Sequence, residues 1–135
     1  MKSRGLRNNN PLNIRHSVEH FQGEIKGKDK SFKTFSSLPY GYRAGFVILG
    51  TYLSQGLNTV EKIVAHWAPS TENDTESYIA NVEKWSDVPR NKALTARDGS
   101  DYILIVAAMS FVENGQNADI TTVRAGFNLQ TKIKL

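Results

Sequence analysis

Tyr102-Ile103-Leu104-Ile105-Val106-Ala107-Ala108-Met109-Ser110-Phe111-Val112-Glu113-Asn114-Gly115 is the stretch on which the fold turns. From Tyr102 to Val112 it is apolar on nearly every side, so as a helix it must run through a core and not along a surface. It covers about half the roughly 20 residues needed to cross a bilayer, so no membrane span is expected. Ser100 is expected to cap the helix, and Gly115 stands where a left-handed terminator belongs. Glu113 closes the helix. A carboxyl group at the rim of an apolar core loses hydration, which favours its protonated form. An acid catalyst of glycosidic cleavage needs that form to protonate the leaving oxygen. The plainer alternative makes Glu113 the first solvated residue after a buried helix. An acid at a helix C-terminus faces the negative pole, at a cost of some tenths of a kcal/mol if exposed. Such local misplacement is a mild sign of function.

Outward from this helix, Asp119 or Thr121 opens a last helix through Val123 and Phe127. Toward the N-terminus, Pro89 and Arg90 mark a loop. Before it, Tyr78, Ile79, Val82 and Trp85 form the expected buried stripe of a helix capped by Asn73, Asp74 or Thr75. Asn58 is the expected cap of a shorter helix carrying Val60, Ile63, Val64 and Trp67 up to the break at Pro69. Tyr42, Phe46, Leu49 and Leu53 recur at helical spacing before Gly56. The polar segment from Arg4 to Ser37 reads as loops with a small β-hairpin around Phe21, Glu24, Ile25, Phe32 and Phe35, with Gly27 and Asp29 near its turn. The expected architecture is α+β, mostly α, with a small β-hairpin, in one domain over residues 1–135.

Composition narrows the chemistry. Cysteine is absent from the 135 residues, so disulfides and thiolate ligands are excluded. His16, His20 and His66 have no recognised ligand spacing. Neither a metal nor a cofactor is expected. The opening Met1-Lys2-Ser3-Arg4-Gly5-Leu6-Arg7-Asn8 is basic but leads into asparagines instead of an apolar run, so no secretory signal is expected and synthesis in the cytoplasm follows. A net charge of +4 favours anionic partners. Nucleic acid, a membrane surface and bacterial wall polymers all fit that charge, but the basic residues are scattered and belong to no base-reading motif, which counts against nucleic acid.

Four segments carry a resemblance. Ala107-Ala108-Met109-Ser110-Phe111-Val112-Glu113-Asn114-Gly115 resembles the apolar helix ending in Glu-Ser-Gly that bears the catalytic glutamate of lytic transglycosylases and related glucosaminidases in the lysozyme-like superfamily. Asn8-Asn9-Asn10-Pro11-Leu12-Asn13-Ile14-Arg15 resembles the Asn-Asn-hydrophobic-Gly-Ile stretch that follows this helix in the glucosaminidase branch. Phe21-Gln22-Gly23-Glu24 resembles that branch's aromatic-x-Gly approach to the hairpin, and Phe32-Lys33-Thr34-Phe35-Ser36-Ser37 its Phe-x-x-Tyr-x-Ser segment. In that family the glutamate helix comes first, whereas here it lies in the C-terminal part, which implies a circular permutation. Permutation costs little where chain termini lie close together. The chain also resembles small phage and mobile-element proteins that begin Arg-Gly-x-Arg-Asn-Asn-Asn-Pro and contain Trp-Ala-Pro-x-x-Glu-Asn-x-Thr, here Arg4 to Pro11 and Trp67 to Thr75.

The resemblance implies a peptidoglycan-cleaving glycosidase with Glu113 as catalytic acid and base. Glu24, on a hairpin facing the glutamate helix, is the second candidate carboxylate, its alternative being a solvated hairpin charge. Glu72 is the third, with helix capping as its alternative. Asn10, Asn13 and Arg15 are candidates for holding sugar hydroxyls, N-acetyl groups or peptide carboxylates, although asparagines beside Pro11 are equally good turn formers. Tyr40 and Tyr78 are candidate stacking surfaces for sugar rings, while Trp67 and Trp85 are expected to be structural. If Glu113 acts alone, the sugar's own hydroxyl closes an anhydro ring. With a partner that activates water, hydrolysis follows. The competing expectation is a catalytically silent structural or wall-binding protein of a virion or mobile element. Either kind acts at the cell wall or within a virion or secretion apparatus that carries it there.

Overall fold

A computed structural model describes residues 2–71 and 73–130. It is an α+β, mostly α arrangement. The elements run α1 (Arg4–Arg7), β1 (Glu24–Ile25), β2 (Thr34–Phe35), α2 (Leu38–Ser54), α3 (Val60–Trp67), α4 (Thr75–Ser86), α5 (Gly99–Asn114) and α6 (Ile120–Asn128). β1 and β2 pair antiparallel, Glu24 opposite Phe35 and Ile25 opposite Thr34, and a separate bridge joins Arg15 to Phe32. Gly27 and Asp29 lie in the connection between these strands, as the hairpin reading expects.

Helix ends follow local chemistry, with some shifts from expectation. The Thr59 hydroxyl, one residue beyond the expected Asn58, accepts from the Lys62 N–H and caps α3. Asp74 caps α4 through Ser77, and Asp119 caps α6 through Thr121. α5 begins earlier than the expected Ser100 cap. Asp98 occupies the cap position, but its side chain instead accepts from the Thr95 N–H. Gly115 ends α5 in the left-handed region at φ +66°. α1 replaces the loop expected at the start, nucleated by Ser3, whose hydroxyl accepts from the Leu6 N–H.

α5 is the central helix. Tyr102, Ile105, Val106 and Met109 are fully buried, and Ile103, Ala108 and Ser110 nearly so. Burial of a large aliphatic or aromatic side chain contributes about 1.5–3 kcal/mol, and this helix supplies several of them. α4 lies along α5 through Tyr78, Ile79 and Val82. Trp85 departs from its expected place in that stripe. It is 51% exposed and tilts against Phe111 with ring centroids 4.9 Å apart. α2 and α6 pack closely because Gly126 presents no side chain to Tyr42 and the Pro39 carbonyl, and Phe46 meets Phe127 edge to face.

Candidate functional site

The Asn-rich segment is fastened to the C-terminal end of α5 by Asn114, 103 residues from Pro11 in sequence. The Asn114 side-chain amide donates to the carbonyls of Pro11 (2.7 Å) and Ser110 (2.9 Å), while its oxygen accepts from the Ser3 hydroxyl at 2.6 Å. Gly5 permits this approach. A Cβ there would stand 2.7–2.8 Å from the Asn10 carbonyl and from the Asn13 and Asn114 side-chain oxygens. Within the segment, Asn10 is fully buried, donating to the Ile14 and Lys33 carbonyls and accepting from the Ile14 N–H. It holds the loop's shape and is out of reach of a ligand. Asn13 adopts φ +52°, a left-handed conformation that asparagine tolerates better than most residues.

This arrangement carries the Asn13 amide to Glu113. Asn13 Nδ2 donates to Glu113 Oε1 at 2.9 Å, and the Tyr78 hydroxyl donates to Oε2 at 2.9 Å. Both donors are neutral. Burial, reinforced by the charge and the hydrogen bond of Glu113, pushes the Tyr78 phenol well above its ordinary range, so it remains a donor. Tyr78 is therefore not an open stacking surface. Its ring is buried, and it reaches the site through its oxygen.

Glu113 opens on a cleft of about 240 Å³ whose walls include Asn13, Arg15, Phe32, Trp67, Ala68 and Asn73. Trp67, expected to be structural, is half-buried and presents part of its ring here, braced edge-on against Tyr52. Phe32 faces the cleft from the hairpin side. Amide, guanidinium and carboxylate groups make most of the exposed lining, with the Phe32 and Trp67 rings at its sides, which suits a polar ligand rich in hydrogen-bonding groups.

The other candidates lie elsewhere. Glu24 accepts from the buried Lys33 ammonium at 3.0 Å and from the Phe21 N–H at 3.1 Å, with His20 nearby. Burial alone would raise its pKa, but the Phe21 and Lys33 hydrogen bonds and the Lys33 and His20 charges outweigh it and lower the pKa below its ordinary value. It does not line the cleft. Tyr40 packs its ring over Gly23, where a Cβ would sit 2.3 Å from it. Glu72 lies outside the described residues. Among the described residues no three His, Asp or Glu side chains gather to hold a metal ion, and no helix is long and apolar enough to cross a membrane. A second cavity, of about 210 Å³, lies between α1, α2 and the α5–α6 turn. Its one carboxylate, Asp119, is engaged in capping α6.

Sequence reasoning missed Trp67, Phe32 and Asn73 as cleft residues and Asn114 as the fastener. Trp67 carried a usable signal, since it stands at the last turn of a short helix, just before Ala68-Pro69 ends it. Nothing local distinguishes Asn114.

Fold and site together define a mostly helical α+β domain whose described cleft is built around a single glutamate. No model of a known protein family matches the chain. It is 42% identical over 120 residues to Protein P5 of Pseudoalteromonas phage PM2, a match spanning 85% of this chain and 73% of that one. The chain belongs to the family of that bacteriophage protein.

Proposed function

We propose that this protein is a peptidoglycan-cleaving glycosidase in which Glu113 is both general acid and general base, with the lytic transglycosylase outcome favoured over hydrolysis. One observation carries the reading: Glu113 is the one carboxylate among the described residues lining the cleft between Phe32 and Trp67, and its two oxygens are held by the neutral donors Asn13 and Tyr78. A carboxylate neutralised by a cation is a poor proton carrier; one oriented by an amide and a phenol is placed to exchange a proton with a bound ligand. The other candidate acid among the described residues, Glu24, is tied to Lys33.

In the proposed reaction the protonated Glu113 gives its proton to the glycosidic oxygen as the bond from that oxygen to C1 breaks. The resulting carboxylate then takes the proton of the sugar's own C6 hydroxyl as that oxygen closes on C1, which returns Glu113 to its starting state and leaves an anhydro ring. The lysozyme-like resemblance and its permutation belong to the same proposal. The contact of Asn13 with Glu113 supports them, because it joins the Asn-rich segment to the end of the glutamate helix, the two pieces that are consecutive in that superfamily. The proposed place of action is the bacterial wall, reached with a virion or secretion apparatus as carrier.

Incubating wild type and Glu113→Gln with bacterial peptidoglycan, and identifying released fragments by mass spectrometry, tests the reading. Anhydro sugars from wild type, reduced about a hundredfold or more in the variant, are expected. Reducing ends would replace transglycosylation by hydrolysis. Wall binding without fragments would favour the silent structural protein.

A further inference from the structure

We infer that Arg15 makes the cleft selective for carboxylate-bearing glycan, binding the substrate's carboxylate while Glu113 acts at the glycosidic oxygen. The inference rests on the glycan reading of the cleft, but binding can be measured apart from turnover.

Two arginines flank the Phe32 ring. The Arg4 guanidinium carbon lies 4.6 Å from the ring centroid and that of Arg15 lies 5.2 Å away. Their situations differ. Arg4 donates from two nitrogens to both oxygens of Asp29, at 2.7 and 2.8 Å, and this pairing helps hold the Asp29 carboxyl far below the usual carboxylate range. Arg15 is exposed, borders the cleft, and has no acceptor for its guanidinium among the described residues. Of the two cations on this ring, one is neutralised and the other turns to the cleft a fork of donors that no described side chain occupies.

The backbone beneath Arg15 is fixed. Arg15 bridges to Phe32, with the His16 N–H donating to the Ser31 carbonyl at 3.1 Å and the Lys33 N–H to the Ile14 carbonyl at 2.9 Å. The same ladder positions Phe32, so the guanidinium and the ring it lies on move as one piece. A planar fork held over an aromatic ring matches a carboxylate in a way that a flexible ammonium does not. The cleft is thus bipolar, with Arg15 supplying the positive group and Glu113 the acid. In peptidoglycan every muramic residue bears a lactyl group, ending in a free carboxylate or continued by a stem peptide with carboxylates of its own. Chitin oligomers have the same β-1,4 sugar backbone and none of these charges.

The test uses Glu113→Gln, to prevent cleavage, and measures its affinity for peptide-bearing peptidoglycan fragments, amidase-denuded glycan strands and N-acetylglucosamine oligomers. The same titrations follow with Arg15→Gln added. The carboxylate ligands are expected to bind roughly tenfold or more tightly than the neutral oligomers, and Arg15→Gln to abolish that difference without affecting the neutral ligand. Preference for the denuded strands alone assigns the lactyl carboxylate, preference for peptide-bearing fragments alone assigns the stem peptide, and preference for both means that Arg15 takes either carboxylate. Equal affinity for all three, equal weakening by Arg15→Gln, or no binding to any would overturn the inference. Turnover is read separately on the chain with Glu113 intact. Arg15-dependent binding without cleavage would remove the glycosidase reading and leave this one. Cleavage of chitin oligomers as readily as peptidoglycan would do the reverse.

Discussion

Replacing Glu24 by glutamine isolates what the hairpin ion pair does. The Lys33 side chain is 1% exposed and its ammonium touches Glu24 Oε2 at 3.0 Å, the Glu19 carbonyl at 2.8 Å and, more weakly, the Ser17 carbonyl at 3.4 Å. Glu24→Gln keeps the shape but removes the only anion among the described residues facing that ammonium, and a buried charge left without its partner costs about 3–5 kcal/mol. The two carbonyls remain, and the Glu24 side chain is itself 12% exposed, so the lower end, about 3 kcal/mol, is expected. For a domain of this size that is a fall in Tm of roughly 10 °C, or a lower urea midpoint at unchanged slope. Adding Lys33→Met should restore stability to within about 1 kcal/mol of wild type, because a neutral pair leaves no uncompensated charge in the same space. Acidity offers a second check. Since the folded-state pKa of Glu24 lies below its ordinary 4.5, its contribution is complete above that pH and is lost as pH falls through the folded value. The gap between wild type and Glu24→Gln should therefore close on acidification below 4.5. The reasoning fails if Glu24→Gln alone unfolds within about 0.5 kcal/mol of wild type, or if the second substitution restores nothing. Where Glu24→Gln is still folded, peptidoglycan turnover should persist, and its loss there would make Glu24 a working partner of Glu113.

Two further outcomes probe the scaffold of the cleft. Tyr78→Phe deletes the donor to Glu113 Oε2 and leaves the ring in the core, so fragment release should fall roughly tenfold or more while denaturation shows a loss of only about 1 kcal/mol; unchanged turnover would deny Tyr78 its role in holding the acid. Gly5→Ala forces a Cβ against three oxygens and should cost about 1–3 kcal/mol together with turnover, seen in urea melts and fragment assays, whereas Gly115→Ala, with φ +66° but nothing within 4 Å, should cost about 1 kcal/mol and spare turnover.

The helices were largely legible, because an apolar stripe has to find a core and each helix interrupts itself visibly. Gly56, Pro69 and Gly115 mark the stops, and Asp74 and Asp119 the starts. The misses have local causes. Trp85 fits the helical spacing of Tyr78, Ile79 and Val82, yet lies at the end of α4, where its ring tilts against Phe111 of α5 and stays half in solvent. α1 escaped notice because four residues are too few to show a period. The three asparagines ahead of Pro11 read as a single turn-forming run, whereas they do separate things: Asn8 binds Asp29, Asn9 the Phe35 carbonyl, and Asn10 the Ile14 and Lys33 backbone.

The site was legible only by its residue types, because what assembles it is long-range. Glu113 is held by Asn13 and Tyr78, 100 and 35 residues away, and its cleft draws walls from the hairpin, the end of α3 and the loop after it. Such meetings leave no periodic trace in sequence; they depend on whether two backbones can approach. Here the approach depends on a missing side chain and one amide. Gly5 leaves room for the Asn10, Asn13 and Asn114 oxygens, and Asn114 joins the Pro11 carbonyl to the last turn of α5. Asn114 is thus the residue next to the candidate acid and also the one that brings the acid its partner. A shift in the end of α5 would move Glu113 and the Asn13 segment together, which keeps the 2.9 Å contact between them intact.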